Sequence, residues 1–425
     1  MGSHHRCTLL TLAACAQALA PAALAREALV NYRANDERIP ADKVLAKVLR
    51  DNPCTDAERR AAADAFLGTA ARLRRYEWLC RDIQGDSEEV AAALLRARDE
   101  DAEEVAATLL RARDEDRTTT EWPSDPNERL SVESGAPLWL CARWRRDLGN
   151  DAARAVAFAS TSRGPVTLRV RDDVDIDAVE ASLGVRTERP PPDIGAPRAL
   201  TLTEGRPPGG VWALPGWDEA LFEVQDAGSQ AIVEACGDGF GTALDMCAGN
   251  GGKSIPLAAR CRELWCHDVD TERLKRLRAR ARRAGVSVQC TDGVTLPDAT
   301  FDLVLVDAPC SGSGVLRRLG RTMSFDVADG DEEDLALRRR RRDHAVHARA
   351  DDALADFARL QLSLLRDAAA RCGDRLVYAT CSTLREENED VVAAFGDDAF
   401  ELEDTRRLLP GFWHDGFFVA RWRRR

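Results

Sequence analysis

The sequence predicts an α/β protein whose C-terminal half folds into a mostly parallel, doubly wound sheet. Short apolar runs alternate with helix-like segments over residues 229–379, and such alternation is typical of a parallel sheet with helices on both faces. Three of the apolar runs, at 242–246, 301–306 and 375–379, lead directly into turns that contain glycine or cysteine. Because ligands bind beyond the carboxyl ends of the strands in open α/β sheets, we expect these turns to meet over one cleft.

The elements of this half follow from the apolar periodicity and from local start and stop signals. Thr271 is the expected N-cap of one helix, and Gly285 is its expected stop. The domain that contains these elements is predicted to span residues 216–425. We expect strands at 242–246, 263–269, 286–290, 301–306 and 375–379, and helices at 229–235 and 271–284.

The first half of the chain predicts a helical domain and a small connecting region. Residues 1–120 are interpreted as mainly helical, because apolar positions recur at three- and four-residue spacing. Residues 88–102 recur as 103–117, which we interpret as a tandem duplication within one surface helix. Residues 121–135 are polar and are predicted to be a linker, and 136–215 are predicted to be a connecting α+β region.

The first 25 residues allow several interpretations. They begin like a tag remnant and continue with an apolar, alanine-rich segment. A signal peptide, a mis-assigned start and the first amphipathic helix of the helical domain all remain open for this segment.

Composition limits the classes of function. The net charge of −12 argues against a general nucleic-acid binder, although arginine clusters at 276–283, 338–342 and 423–425 could form a local positive surface. The 13 cysteines include no pair or cluster at zinc-binding spacing, so no metal is expected. No apolar stretch is long enough for a membrane span, so no membrane association is expected. Reduced thiols favour a cytoplasmic location.

The turn after the run at 242–246 is a candidate ligand cradle. Glycines let backbone N–H groups approach a polar ligand closely. Gly252 and Lys253 also look like the end of a phosphate-binding P-loop, but that motif requires glycine where this chain has Cys247. Asp268, at the end of the next predicted strand, could accept both hydroxyls of a ribose. The candidate cradle consists of Cys247, Ala248, Gly249, Asn250, Gly251, Gly252 and Lys253.

Several motifs follow one another in the C-terminal half: Asp245 to Ala248, Gly251 to Lys253, Asp268, Asp292 with Gly293, Asp307 to Gly314, Tyr378 to Ser382 and Glu387 to Glu389. In this order and spacing they resemble the RsmB/Sun-type RNA cytosine-C5 methyltransferases, over residues 224–421. The resemblance implies a Rossmann-like class I methyltransferase domain that uses S-adenosylmethionine. It also implies a final antiparallel strand at 417–422, which closes the sheet, and an N-terminal NusB-like helical domain that docks RNA. Relatives carry proline where this chain has Asn250, and they differ over 319–352.

The resemblance also implies a role for each candidate site residue. Cys381 is the nucleophile that adds to C6 of cytosine, and Cys310 assists release of the methylated RNA. Asp307 hydrogen-bonds the cytosine edge and borders the cofactor pocket. The turn from Cys247 to Lys253 holds the methionine part of the cofactor, Asp268 holds the ribose, and Asp292 faces the adenine.

The predicted function is methyl transfer to RNA by a monomeric enzyme, with small-subunit rRNA as the first substrate and tRNA as the next. A non-catalytic assembly factor that binds RNA and cofactor is the main alternative. A DNA methyltransferase with a nucleophile in the Pro309-Cys310 pair is a weaker one. Both cysteines could instead be small buried apolar residues, which is a common role of cysteine.

Overall fold

The computed structural model describes residues 122–205, 207, 209–319 and 335–425, together with isolated residues before position 63. The predicted helical domain, its duplication at 88–117 and residues 320–334 therefore lie outside the described part, apart from those isolated positions. The chain divides into two compact units. One comprises Met1–Arg163 with Leu316–Arg349, and the other comprises Gly164–Val315 with Ala350–Arg425.

The first unit contains three consecutive helices, α1 (Pro126–Ser134), α2 (Leu138–Leu148) and α3 (Asn150–Thr161). The interpretation of 121–135 as a linker is therefore wrong. Asp125 caps α1 by accepting hydrogen bonds from two backbone N–H groups of its first turn, and Leu130 is buried. The predicted connecting region is also divided, because α2 and α3 belong to the first unit and the strands that follow belong to the second.

A small antiparallel sheet opens the second unit. Its strand order is β2-β3-β1-β4, and the side chains of Leu168, Leu200 and Phe222 form part of its buried core. The elements are β1 (Val166–Val170), α4 (Ile176–Ser182), β2 (Thr187–Glu188), β3 (Ala199–Leu202) and β4 (Phe222–Val224).

A seven-stranded sheet follows, with the order β10-β11-β9-β8-β5-β6-β7. Strands β9, β8, β5, β6 and β7 run parallel to one another, and β11 pairs antiparallel with β9 on one side and with β10 on the other. The elements along this part of the chain are α5 (Ala227–Cys236), β5 (Phe240–Asp245), α6 (Ser254–Ala258), β6 (Cys261–Cys266), α7 (Thr271–Ala284), β7 (Gln289–Cys290), β8 (Phe301–Asp307), α8 (Leu316–Leu319), α9 (Leu335–Ala369), β9 (Cys372–Thr380), α10 (Glu389–Phe395), β10 (Phe400–Leu408) and β11 (Phe417–Arg424). Of these, α8 and the part of α9 up to Arg349 belong to the first unit.

Alternate residues of the central strands pack on opposite faces of this sheet. Leu303 and Leu305 of β8 pack with helices α5 and α7, whereas Val304 and Val306 pack with α9 and α10. Helices therefore cover both faces, which confirms the predicted doubly wound, Rossmann-like fold. Since β6 and β8 lie on opposite sides of β5, the strand order changes direction at β5, and this switch point is where such sheets bind ligands.

Several local predictions need correction. The strand at β11 is antiparallel as predicted, but β10 pairs with its outer side, so β11 does not close the sheet. Strand β6 ends at Cys266 rather than at Val269, which is 84% exposed. Strand β7 is reduced to Gln289–Cys290. The N-cap of α7 is Asp270, which accepts hydrogen bonds from Glu272 and Arg273, whereas Gly285 ends the helix in the left-handed conformation as predicted.

In the described part of the chain, no helix is both long and apolar enough to cross a membrane.

Candidate active site

The three predicted turns do meet at the carboxyl ends of adjacent strands. Strand β5 ends at Asp245, β8 at Asp307 and β9 at Thr380. Asp245 is in register with Leu305 of β8, and Asp307 is in register with Ala379 of β9. The turns after these strands therefore begin side by side, as the rule for open α/β sheets requires.

Two of the predicted catalytic residues are in direct contact. The sulfur atoms of Cys310 and Cys381 lie 3.3 Å apart, although 71 residues separate them along the chain. The hydrogen bond with the Cys381 thiol, followed by burial, raises the pKa of Cys310 well above its ordinary value. Cys310 is therefore a protonated thiol at neutral pH.

Lys253 and Asp307 form an ion pair beside the two thiols. Lys253 Nζ lies 2.6 Å from Asp307 Oδ2 and 5.8 Å from the centre of the Phe417 ring. Burial lowers the pKa of Lys253, but the carboxylate of Asp307 outweighs burial and, with smaller contributions from Cys381 and Asp245, raises the pKa above its ordinary value. The lysine is therefore a cation that is paired with Asp307.

The glycine-rich turn depends on backbone conformations that favour glycine. Gly249 and Gly251 have φ angles of 54° and 83°. A Cβ on Gly251 would lie 2.9 Å from Leu277 Cγ, so this glycine also lets the turn pack closely on α7. Asn250, at the position where relatives carry proline, accepts hydrogen bonds from Arg276 and Arg280 of α7. These two arginines restrain the turn without the proline ring.

The two aspartates predicted to contact the cofactor differ in their surroundings. Asp268 is 8% exposed and accepts hydrogen bonds from the backbone N–H groups of Gly249 and Asp270, each at 2.8 Å. It therefore lies against the glycine-rich turn. Asp292 is exposed, and its carboxylate accepts from Val294 N and Thr295 N. These two bonds lower its pKa.

Asp245, which belongs to one of the motifs but was not a predicted site residue, is a buried titratable group. It is 1% exposed and accepts a hydrogen bond of 2.7 Å from Ser254 Oγ. Burial raises its pKa to about 7. The sequence did carry a signal for this group, because an acidic residue at the end of an apolar strand is expected to be buried. Burial of a carboxylate favours its neutral form and so raises its pKa.

Glu387 and Gln361 are further site residues that the sequence did not reveal. Both side chains are fully buried. Glu387 contacts the segments that contain Cys310 and Cys381, and Gln361 contacts the segment that contains Cys310. Glu387 belongs to a motif that carried the resemblance. Gln361 lies in the C-terminal half of α9, where nothing in the sequence distinguishes it from its helical neighbours.

A separate cavity of about 450 Å³ borders Gly252 but none of the predicted catalytic residues. Its charged lining residues form three ion pairs, Arg169 with Asp172, Arg171 with Asp173, and Arg280 with Glu223. Because these charges neutralise one another, the cavity has no excess positive charge to attract an anion. The candidate active site is therefore the cleft between the glycine-rich turn and the thiols.

The sequence is similar to a family of known methyltransferases. Residues 238–407 match the family model described as 16S rRNA methyltransferase RsmB/F. Ribosomal RNA small subunit methyltransferase B of Xylella fastidiosa is 33% identical over 329 residues, which cover 69% of this chain and 70% of that protein. The corresponding protein of Citrobacter koseri is 33% identical over 308 residues, 67% of this chain and 65% of that protein.

Solved structures resemble the fold at lower sequence identity. The crystal structure of PH0851 has a TM-score of 0.67 and 22% identity, and the similarity covers 95% of this chain and 99% of that one. A methyltransferase homologue from Pyrococcus horikoshii has a TM-score of 0.57 and 24% identity, covering 71% of this chain and all of that one.

Proposed function

Because the chain belongs to the RsmB/Sun-type methyltransferase family, we propose that it transfers a methyl group from S-adenosylmethionine to C5 of a cytosine in RNA. The observation that carries the proposal is the contact of 3.3 Å between the thiols of Cys310 and Cys381 beside the Lys253–Asp307 ion pair. A single nucleophilic cysteine would need no second thiol in contact. A pair of thiols suits a reaction in which one adds to the substrate and the other assists its release.

The cleft fits S-adenosylmethionine on two observations. The atom nearest to a Cβ built on Gly249 is Asp268 Oδ2, at 4.0 Å, so a ligand has room beside Gly249, next to this carboxylate. Each oxygen of Asp268 accepts one backbone hydrogen bond, and a carboxylate oxygen can accept two. Asp268 can therefore hold ribose hydroxyls while it restrains the turn. When bound, the cofactor supplies an electrophilic methyl group.

The chemistry required of the protein is nucleophilic addition to a base. C5 of cytosine is a poor nucleophile until a thiolate adds to C6. We assign this addition to Cys381, because a thiolate is the reactive form of cysteine, Cys310 is held as a thiol, and Lys253 and Cys381 interact electrostatically. The bond from Cys381 to C6 forms first, and C5 then takes the methyl group, with S-adenosylhomocysteine as the leaving group. A base removes the C5 proton, and the electrons of that C–H bond restore the C5–C6 double bond and expel Cys381 as a thiolate. Cys310, held as a thiol, assists that last step.

Asp307 is assigned to substrate orientation. Its second oxygen does not take part in the contact with Lys253, and its side chain is 29% exposed. A carboxylate at this point can accept a hydrogen bond from the cytosine edge. The base must leave its stack to reach the pocket, which costs least in unpaired RNA. Small-subunit rRNA is the first substrate to test and tRNA the next, and the expected location is the cytoplasm.

The test is methyl transfer from labelled S-adenosylmethionine to deproteinised total RNA from a methylation-deficient strain, followed by digestion to nucleosides and mass analysis. We expect labelled 5-methylcytidine, and fractionation of the RNA separates rRNA from tRNA. A Cys381→Ser variant that still binds the cofactor should give no label. If the unaltered protein binds the cofactor but labels neither RNA nor DNA, the non-catalytic assembly factor becomes the better account. Label on a sugar or on another base would contradict the proposed reaction.

A further inference from the structure

Glu387 joins two segments that contain the cysteines. The Cys310 segment, residues 308–315, follows β8, and the Cys381 segment, residues 381–384, follows β9. It ends a short 3₁₀ turn, Arg385–Glu387, and its side chain is fully buried. Its Oε1 accepts hydrogen bonds from Ser311 N at 2.8 Å and Gln361 Nε2 at 3.1 Å. Its Oε2 accepts from Ser311 Oγ at 2.5 Å and Ser382 Oγ at 2.6 Å. Four neutral donors thus point at one carboxylate.

The placement of these donors is specific. Ser311 directly follows Cys310, and Ser382 directly follows Cys381. One carboxylate therefore holds the residue after each cysteine. Gln361 adds a third connection, because its Nε2 also donates to Pro309 O at 2.9 Å, directly before Cys310. The Cys310 segment is held on both sides of the thiol, and the Cys381 segment on one side.

Glu387 is itself fixed by buried neighbours. The Tyr378 hydroxyl donates to the backbone oxygen of Glu387 at 2.6 Å. The next residue, Asn388, donates to Ser382 O at 3.0 Å and accepts from Thr380 Oγ1 at 2.6 Å. Both Tyr378 and Asn388 are fully buried. Because the anchor points lie on strand β9 and on the segment that follows it, the carboxylate cannot drift relative to Cys381.

We propose that Glu387 is a positioning residue that holds the Cys310 segment against the Cys381 segment, so that the two thiols stay in contact. An ionised carboxylate only accepts hydrogen bonds, so it suits a point where four donors converge. Its negative charge also contributes, after the Cys381 contact and burial, to the raised pKa of Cys310. The catalytic importance of this residue rests on the proposed function, but the positioning itself does not.

The separation of the thiols can be measured without RNA. Diamide oxidises two adjacent thiols to a disulfide and is itself reduced to a hydrazine. This bond requires Cβ atoms about 3.5–4.5 Å apart, so the rate of Cys310–Cys381 bond formation, followed by peptide mass analysis, reports on their placement. We expect Glu387→Ala to slow this rate by at least about tenfold, because buried donors lose their acceptor. The affinity of Glu387→Ala for the cofactor should stay within about twofold of that of the unaltered protein, since the contacts of Glu387 do not include the glycine-rich turn.

Two further variants separate positioning from general destabilisation. Glu389→Gln alters the carboxylate two residues away, which pairs with Arg407, and it should cross-link at the unaltered rate. Glu387→Gln should restore most of the rate lost in Glu387→Ala, because a glutamine oxygen accepts from the two N–H donors while its amide donates to the two serine hydroxyls. If Glu387→Ala fails to fold, Ser311→Ala should still slow cross-linking by about threefold, because it removes the hydroxyl bond to Glu387 and a weaker bond from Ser313 N.

Equal cross-linking rates in Glu387→Ala and the unaltered protein would overturn the proposal, as would equal slowing in Glu389→Gln. If Glu387→Ala does not fold, an unaltered rate in Ser311→Ala would overturn it. If Glu387→Ala slows cross-linking but the unaltered protein methylates no RNA, the positioning role is supported and only the proposed function is contradicted.

Discussion

Replacement of Gly314 by alanine should separate the Cys310 segment from the segment that precedes β11. A Cβ on Gly314 would lie 2.2 Å from Gly416 O, 2.7 Å from Gly416 C and 2.8 Å from Gly416 Cα. All three are backbone atoms, and the two segments are also joined by a hydrogen bond of 2.8 Å from Gly416 N to Gly314 O. No side chain can rotate away to make room, so one of the two segments must move.

The size of the effect follows from these distances. Ordinary contacts begin near 3.4 Å, so the backbones must separate by about 1 Å. Overpacking of this kind costs about 1–3 kcal/mol, and loss of the hydrogen bond adds about 1 kcal/mol. A total of about 2–4 kcal/mol lowers the melting temperature of a unit of this size by roughly 5–15 °C. Methyl transfer should fall as well, because Gly314 N also donates to Cys381 O at 2.9 Å.

The assay is thermal unfolding followed by fluorescence, with the rate of Cys310–Cys381 cross-linking as a second measurement. Gly411→Ala is the matched control. Gly411 lies in the same segment as Gly416, and a Cβ there would meet only Leu409 O at 3.9 Å. The control should melt within about 2 °C of the unaltered protein, since it adds no close contact. A Gly314→Ala protein with unaltered melting and cross-linking would refute the reasoning.

Three further predictions concern the charged groups of the cleft. Lys253→Met removes the partner that lies 2.6 Å from Asp307 and should lower the free energy of unfolding by about 2 kcal/mol. This is less than the usual cost of breaking a buried pair, because Asp307 is partly exposed. Thermal unfolding should show that Lys253→Met/Asp307→Asn regains part of the loss. Asp245 keeps a proton up to a pKa of about 7, whereas the unfolded chain releases it near 3.8, so its contribution to stability is lost as pH rises through this window. The melting temperature of Asp245→Asn should therefore rise relative to the unaltered protein between pH 4 and 7, by the equivalent of up to about 4 kcal/mol, and a constant difference would contradict this pKa. Asp268→Ala should weaken S-adenosylmethionine binding by about 10–100-fold in calorimetry, since two hydroxyl contacts are lost, and an unaltered affinity would remove Asp268 from the cofactor site.

The meeting of the two cysteines was predictable because it depends on few facts. Apolar runs mark the parallel strands, and the carboxyl ends of such strands share one edge of the sheet. Cys310 and Cys381 each come shortly after such a run, so adjacency of β8 and β9 is enough to bring them together. The pattern predicted the cleft without any knowledge of the side-chain packing.

Other features depend on tertiary contacts that leave little local signal. Strand β10 is buried only at Phe400 and Leu408, at its two ends, and its apolar alternation stops after Leu402, which is too short to mark a strand of nine residues. Helix α1 did carry a signal, because Asp125 followed by Pro126 is typical of a helix start, but the polar composition of 121–135 favoured a linker. The position of Glu387 depends on Gln361 and Ser311, which are 26 and 76 residues away.

The most direct test of the proposed reaction is to map the covalent adduct between protein and RNA. Cys310→Ala protein is incubated with RNA and S-adenosylmethionine, digested with nuclease and protease, and analysed by mass spectrometry. We predict a nucleotide attached to the peptide that contains Cys381, and no adduct in the Cys310→Ala/Cys381→Ala variant, because the nucleophile is then absent. An adduct on another residue, or normal turnover of Cys310→Ala without any adduct, would contradict the assignment of Cys381 as nucleophile and Cys310 as the releasing thiol.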